Sequence, residues 1–118
     1  MATARQRFLS RVLIRKYGEV GVVASRYLEA GYAVRVMHPT RYGPVHVFAQ
    51  RGGERLVIEV FKESREVGQS DVEPLLKKAE LLRSRPVLVL YGDGPRLGDG
   101  LYRELRERGV KIRRIRAQ

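Results

Sequence analysis

Residues 43–62 read GPVHVFAQRGGERLVIEVFK, and no other stretch limits the possible folds so tightly. Two apolar runs, Pro44–Ala49 and Leu56–Phe61, flank Arg51-Gly52-Gly53-Glu54. A glycine pair between strand-like runs supplies the backbone freedom that a tight hairpin turn requires. Each predicted strand is interrupted by one ionisable residue, His46 in the first and Glu59 in the second. Burying such a group is unfavourable unless it is paired, hydrogen-bonded or bound to a metal. The fold must therefore find partners for His46 and Glu59.

A helical pattern precedes the hairpin. From about residue 5 to Ala30 the apolar positions are Leu9, Val12, Leu13, Tyr17, Val20, Val23, Ala24, Tyr27 and Leu28. Their i, i+3, i+4, i+7 spacing is one helix face. Gly31 closes the pattern. Gly18 and Gly21 can divide it, so one long helix and two consecutive helices fit equally well. Tyr32–Met37 is a strand rich in aromatic and β-branched residues, and His38–Gly43 is a loop.

After the hairpin, Glu63–Gly68 is a polar connection and Ser70 or Asp71 caps a second helix. Ser70 with Glu73 makes a capping box. With Asp71 as the cap, Pro74 falls in the first turn, where its missing N–H does little harm. Leu75, Leu76, Ala79 and Leu82 form the apolar side. Pro86–Tyr91 is a continuous apolar run suited to a strand buried on both faces. The loop GDGPRLGDG meets neither the P-loop nor the dinucleotide-binding glycine pattern, and reads as a turn into a helix over Leu101–Arg108. Val110–Ile115 is a basic strand suited to a sheet edge. The order α-β-β-β-α-β-α-β predicts one α/β domain over 1–118, a mixed β-sheet flanked by helices.

Charge narrows the function. Lys and Arg number 24 against 13 Asp and Glu, for a net charge of +11. Such an excess favours a polyanionic partner, nucleic acid first. Candidate phosphate contacts are Arg7, Arg11, Arg15, Arg41, Lys111, Arg113, Arg114 and Arg116; contacts of this kind position a protein without reading sequence. The absence of cysteine excludes disulfides, thiolate zinc sites and a cysteine nucleophile. No run approaches the roughly 20 apolar residues of a membrane span. The basic, amphipathic N-terminus continues the helical pattern and is read as part of the fold, so a cytoplasmic protein with no membrane partner is expected.

In its element order, and in KYGE (Lys16–Glu19), EAGYAVRV, GPVHVFA, LVIEVFK and PVLVLY, the chain resembles the PD-(D/E)XK nuclease superfamily. The likeness is to its archaeal Holliday junction resolvase and Mrr-like branches. The resemblance implies a restriction-endonuclease-like fold, binding of branched or otherwise structured DNA, a homodimer, and a catalytic Mg²⁺ or Mn²⁺. Under it, Glu59 and Glu19 would be metal ligands. His46 would be a substitute ligand or base in the place of an aspartate, and Lys62 would contact water or phosphate.

Two departures set this chain apart from the pattern. Imidazole at position 46 is a poor ligand for hard Mg²⁺, though it suits Mn²⁺ and softer ions. The residue two beyond Glu59 is Phe61, with the lysine displaced to Lys62. Strand alternation puts Glu59 and Phe61 on one face and Lys62 on the other unless a bulge intervenes. Together they predict an altered or lost metal site, with no cofactor as the alternative. A non-catalytic nucleic-acid-binding or partner subunit keeping the fold and the charge is the competing class. Tyr42, His46 and Lys62 also resemble the Tyr/His/Lys set of metal-independent tRNA splicing endonucleases. In that family the tyrosine and histidine lie in loops, so RNA cleavage ranks below DNA binding. Glu19 reads equally as a solvated helix residue near Lys16, and His46 as a strand histidine bonded to a neighbour such as Glu59.

Overall fold

The computed structural model describes residues 2–116. The apolar runs become β1 (Ala33–His38), β2 (Val45–Arg51), β3 (Glu54–Phe61), β4 (Arg85–Tyr91) and β5 (Lys111–Ile115). They form one sheet in the order β1-β2-β3-β4-β5. The pairs β1–β2 and β2–β3 are antiparallel, and β3–β4 and β4–β5 are parallel. Gly52 adopts φ 60° in the β2–β3 turn, the left-handed conformation that the glycine pair predicts. Basic β5 lies at one edge, as its charge suggests. This is the mixed, helix-flanked sheet expected from the order of elements.

The helices are α1 (Ala4–Tyr17), α2 (Glu19–Glu29), α3 (Gln69–Leu81) and α4 (Asp99–Glu107). The first pattern is therefore two helices. Gly18 turns the chain, and Gly21 lies so close to α1 that a methyl group there would overlap the Leu13 carbonyl. Of the two, α2 carries the core. Its Val23, Ala24 and Tyr27 pack with Val47, Ala49, Leu56, Ile58, Val60, Val87, Val89 and Ile115 on one face of the sheet.

Because α1 rests mainly on α2, only a narrow strip of it is covered. Val12, which spacing assigns to the buried face, is 37% exposed, and Phe8 and Ile14 are exposed too. On the opposite face of the sheet, Val45, Phe48, Val57, Leu88 and Leu90 pack with Val72, Leu75 and Ala79 of α3 and Leu105 of α4.

The cap of α3 is Gly68, earlier than the Ser70 or Asp71 expected from sequence. Asp71 sits in the first turn and accepts the Gly68 N–H at 2.8 Å. Arg65 grips the same carboxylate through two bonds of 2.9 and 3.1 Å and, more than the Gly68 N–H, holds it below the usual aspartate range. Among the described residues no helix is long and apolar enough to cross a membrane.

Candidate functional site

The β2–β3 ladder runs from Arg51–Glu54 to Val47–Ile58 and stops there. At the next position the two strands are joined by side chains. The His46 N–H donates to Glu59 Oε2 at 2.9 Å, and the Val60 N–H donates to His46 Nδ1 at 2.9 Å. Two backbone donors thus find their acceptors in the two ionisable residues that interrupt the strands. The neighbouring strand is irregular at the same level. Met37, between the pairs Val36–Val47 and His38–Val45, has φ 55°, which is uncommon for a residue with a side chain. Val45 and Phe48, three positions apart, both pack on the α3 side, so β2 leaves strict alternation around His46.

Glu59 has a second partner. Its Oε1 accepts from Lys78 Nζ at 2.9 Å, and the same ammonium donates to the Pro44 carbonyl at 2.8 Å. Glu59 is 8% exposed and Lys78 5%. An ammonium and a carboxylate so deeply buried survive because each answers the other and hydrogen bonds take up the remaining valences. Lys78 projects from α3 beside Leu75 and Ala79, completing the i, i+3, i+4 face that packs on the sheet.

The environment fixes the state of His46. Burial lowers its pKa below the ordinary value; Glu59 pulls it back up, while Lys78 and Lys62 lower it further. The imidazole is therefore neutral. Its Nδ1 lone pair is taken by the Val60 N–H, which places the ring proton on Nε2. Neither ring nitrogen has a free lone pair.

A divalent cation of the kind the sequence resemblance implies requires several oxygen donors around one point. Here both Glu59 oxygens already accept hydrogen bonds, His46 has no lone pair to give, and an ammonium sits on the carboxylate. Among the described residues no three His, Cys, Asp or Glu side chains gather as a metal group. This donor set does not fit a divalent cation.

Glu19 and Lys62 meet elsewhere. Leu56, Ile58 and Val60 face α2, whereas Val57 and Phe61 face α3, so β3 alternates to its end without a bulge. Lys62 leaves the strand toward α2, where its Nζ lies 3.4 Å from Glu19 Oε1. Both side chains are about half exposed. Glu19 opens α2, and the backbone N–H there, followed by Lys62, holds its carboxyl below the usual range. The residues selected from sequence thus separate into a buried His46–Glu59 cluster, completed by Lys78, and an exposed Glu19–Lys62 pair.

The basic residues also divide. Arg7, Arg11 and Arg15 are exposed along α1, four positions apart, and Arg41 is exposed beside the Tyr42 ring. Arg114 donates to the Gly92 and Pro95 carbonyls at 2.5 and 2.8 Å, fixing the loop that leads into α4. Arg116 pairs with Asp93 in that loop. Lys111 and Arg113 instead line a cavity on the α2 side.

No protein-family model matches the chain, and no curated protein matches it in sequence. Solved structures do. A repair endonuclease from Pyrococcus abyssi superposes with a TM-score of 0.62 at 20% identity, over 95% of this chain and 47% of that one. EndoMS in complex with double-stranded DNA gives 0.60 at 23% identity, over 100% of this chain and 47% of that one. A protein of unknown function gives 0.59 at 16% identity, over 76% and 53%. The chain spans about half the length of each. What they have in common with it is the fold, an α/β architecture with a mixed five-stranded sheet flanked by helices.

Proposed function

We propose, starting from this nuclease-type fold, that the chain is a DNA-binding domain whose metal site has been replaced by an internal ammonium–carboxylate pair. The observation that carries the proposal is the 2.9 Å contact between Lys78 Nζ and Glu59 Oε1, closed from solvent. In this reading a fixed positive charge of the protein stands where a nuclease of this architecture would need an exchangeable one. No hydrolytic step follows from it. His46 offers no lone pair to take a proton from water, which also disfavours metal-free cleavage of RNA.

Binding rests on the net charge of +11 and on exposed cations such as Arg7, Arg11, Arg15 and Arg41. Each phosphate neutralised adds about −0.9 to the slope of log K against log salt. A four-way junction as the preferred DNA form, and a homodimer presenting two such surfaces, complete the resolvase-like version of the proposal.

The test compares four-way-junction and linear duplex DNA in EDTA, Mg²⁺ and Mn²⁺ over a salt series. The expected result is binding that ignores EDTA, falls steeply with salt and yields no cleavage. Replacing both Arg11 and Arg15 by alanine should flatten the slope by up to about 2. Cleavage that requires Mg²⁺ or Mn²⁺ and disappears in Glu59→Gln would overturn the proposal.

A further inference from the structure

A cavity of about 520 Å³ opens at the other end of the sheet from the Glu59 cluster, and on the other face. It lies under the last turn of α2, beside the starts of the three strands β3, β4 and β5, where Leu56 pairs with Arg85 and Val87 with Lys111. Two kinds of charge line it. On one wall the charges are satisfied internally: Tyr32 donates to Glu54 at 2.5 Å, and Arg51 pairs with Glu54 while lying 4.2 Å over the Tyr32 ring. On the other wall stand Arg26, Arg85, Lys111 and Arg113 with one carboxylate, Glu29. Among the described residues none of these five groups forms an ion pair.

The floor adds a further unused group. Tyr27 is 7% exposed, and its hydroxyl meets no hydrogen-bond geometry among the described residues. Buried polar atoms almost always find a partner; this hydroxyl is closed from solvent and feels the Arg113 guanidinium, so a ligand's acceptor would reach it only if the cavity floor opened.

We propose that this cavity binds a phosphomonoester, either a free mononucleotide or the terminal phosphate of a nucleic-acid strand. Near neutral pH a monoester approaches two negative charges on three oxygens, whereas a backbone diester carries one. The excess of cations over Glu29 matches the former better. Guanidinium groups present forked donors that fit phosphate oxygens two at a time. The volume lies within the roughly 300–1,000 Å³ usual for small-ligand sites. This site shares no residue with the Glu59 cluster and does not depend on how that cluster functions.

Calorimetry with AMP and adenosine, and with one single-stranded oligodeoxynucleotide carrying either a 5′-phosphate or a 5′-hydroxyl, tests the proposal at fixed salt. The terminal phosphate should tighten binding at least tenfold. The paired substitution Arg85→Ala and Arg113→Ala should erase that gain while leaving the 5′-hydroxyl oligomer within about twofold of wild type. Both side chains are exposed, so the fold should persist, and an unchanged Tm confirms it. A gain for AMP and oligomer alike assigns a site for any phosphomonoester, and a gain for the oligomer alone assigns a strand end. No gain in either, or a gain that survives the double substitution, overturns the proposal. So does an equal loss for both oligomers, which would make the cavity part of a general backbone-binding surface. Since the 5′-hydroxyl oligomer and adenosine serve as references, failure here is separable from failure of DNA binding itself.

Discussion

At the Glu59 end of the sheet a carboxylate and an ammonium are both more than nine-tenths buried and lie 2.9 Å apart. At the Arg85 end, besides the paired Arg51 and Glu54, an open cavity is lined by four cations and one carboxylate that form no ion pair among the described residues. Both arrangements contribute to the same net charge, yet they do opposite things with it. The first is saturated: any ligand must break hydrogen bonds already made, so its charge acts on stability. The second has nothing internal to break, so its charge is available to a partner. A net charge of +11 therefore says little until each cation is sorted by whether the fold has already used it.

The sharpest way to break the contrast is to remove one charge from each end. Lys78→Ala leaves Glu59 buried without its cation and the Pro44 carbonyl without its donor. Losing one member of a buried pair costs about 3–5 kcal/mol, against a total stability on the order of 5–15 kcal/mol for a domain. Urea unfolding should show a midpoint collapse or outright unfolding. Joint replacement by Lys78→Met and Glu59→Gln removes both charges but keeps an acceptor for the His46 N–H, and should recover most of the loss. Arg85→Ala at the open end should stay within about 0.5 kcal/mol of wild type. A Lys78→Ala loss that small would mean that the pair is solvated and the contrast false.

One end was legible in the sequence and the other was not because their contributors lie at different separations along the chain. The hairpin, its glycine turn and the two interrupting residues sit within 43–62, so local pattern alone shows that His46 and Glu59 need partners. Alternation along β3 also places Lys62 on the face away from Glu59. The partner that Glu59 finds, Lys78, comes from a helix with no sequence proximity. Its one signal was its place in the stripe Leu75, Lys78, Ala79, Leu82, where a lysine at i+3 breaks an otherwise apolar row. Glu19 meets Lys62 because Gly18 turns the chain, a pairing that spacing does not encode. The cavity draws Arg26, Arg85, Lys111 and Arg113 from three different elements. Only the two on β5 stood out as candidates, because they fall in a dense basic run.

A smaller effect sharpens the closed end by pH. Burial holds His46 neutral, below its ordinary value near 6.5, while in the unfolded chain it titrates normally. Above that pH both states are neutral and the group has no influence. As pH falls below 6.5, the unfolded state takes up a proton that the folded state refuses, so stability declines until pH reaches the depressed folded value. His46→Asn puts Oδ1 where Nδ1 accepts the Val60 N–H and removes the titration. The fall in urea midpoint between about pH 7.5 and 5 should then be shallower than in wild type. His46→Ala instead orphans the Val60 N–H, at about 1–3 kcal/mol and at every pH. Equal slopes in wild type and His46→Asn would show that the imidazole is free to protonate, and with it the cluster open to solvent.

The smallest expected change comes from Tyr27→Phe at the open end. Burial first, offset by the nearby Arg113, raises the phenol pKa and keeps the hydroxyl a proton donor. With no acceptor among the described residues, that donor forfeits its hydration on folding. Its removal should leave thermal stability unchanged or raise it by up to about 1 kcal/mol, whereas removing a satisfied group lowers it. If a phosphate fills the cavity, the same substitution should weaken phosphomonoester binding a few-fold. Stability and affinity would then move in opposite directions, as they do for a group retained for its ligand. A loss of stability without a loss of affinity would place Tyr27 among the saturated groups, leaving the arginines alone to distinguish this end from the other.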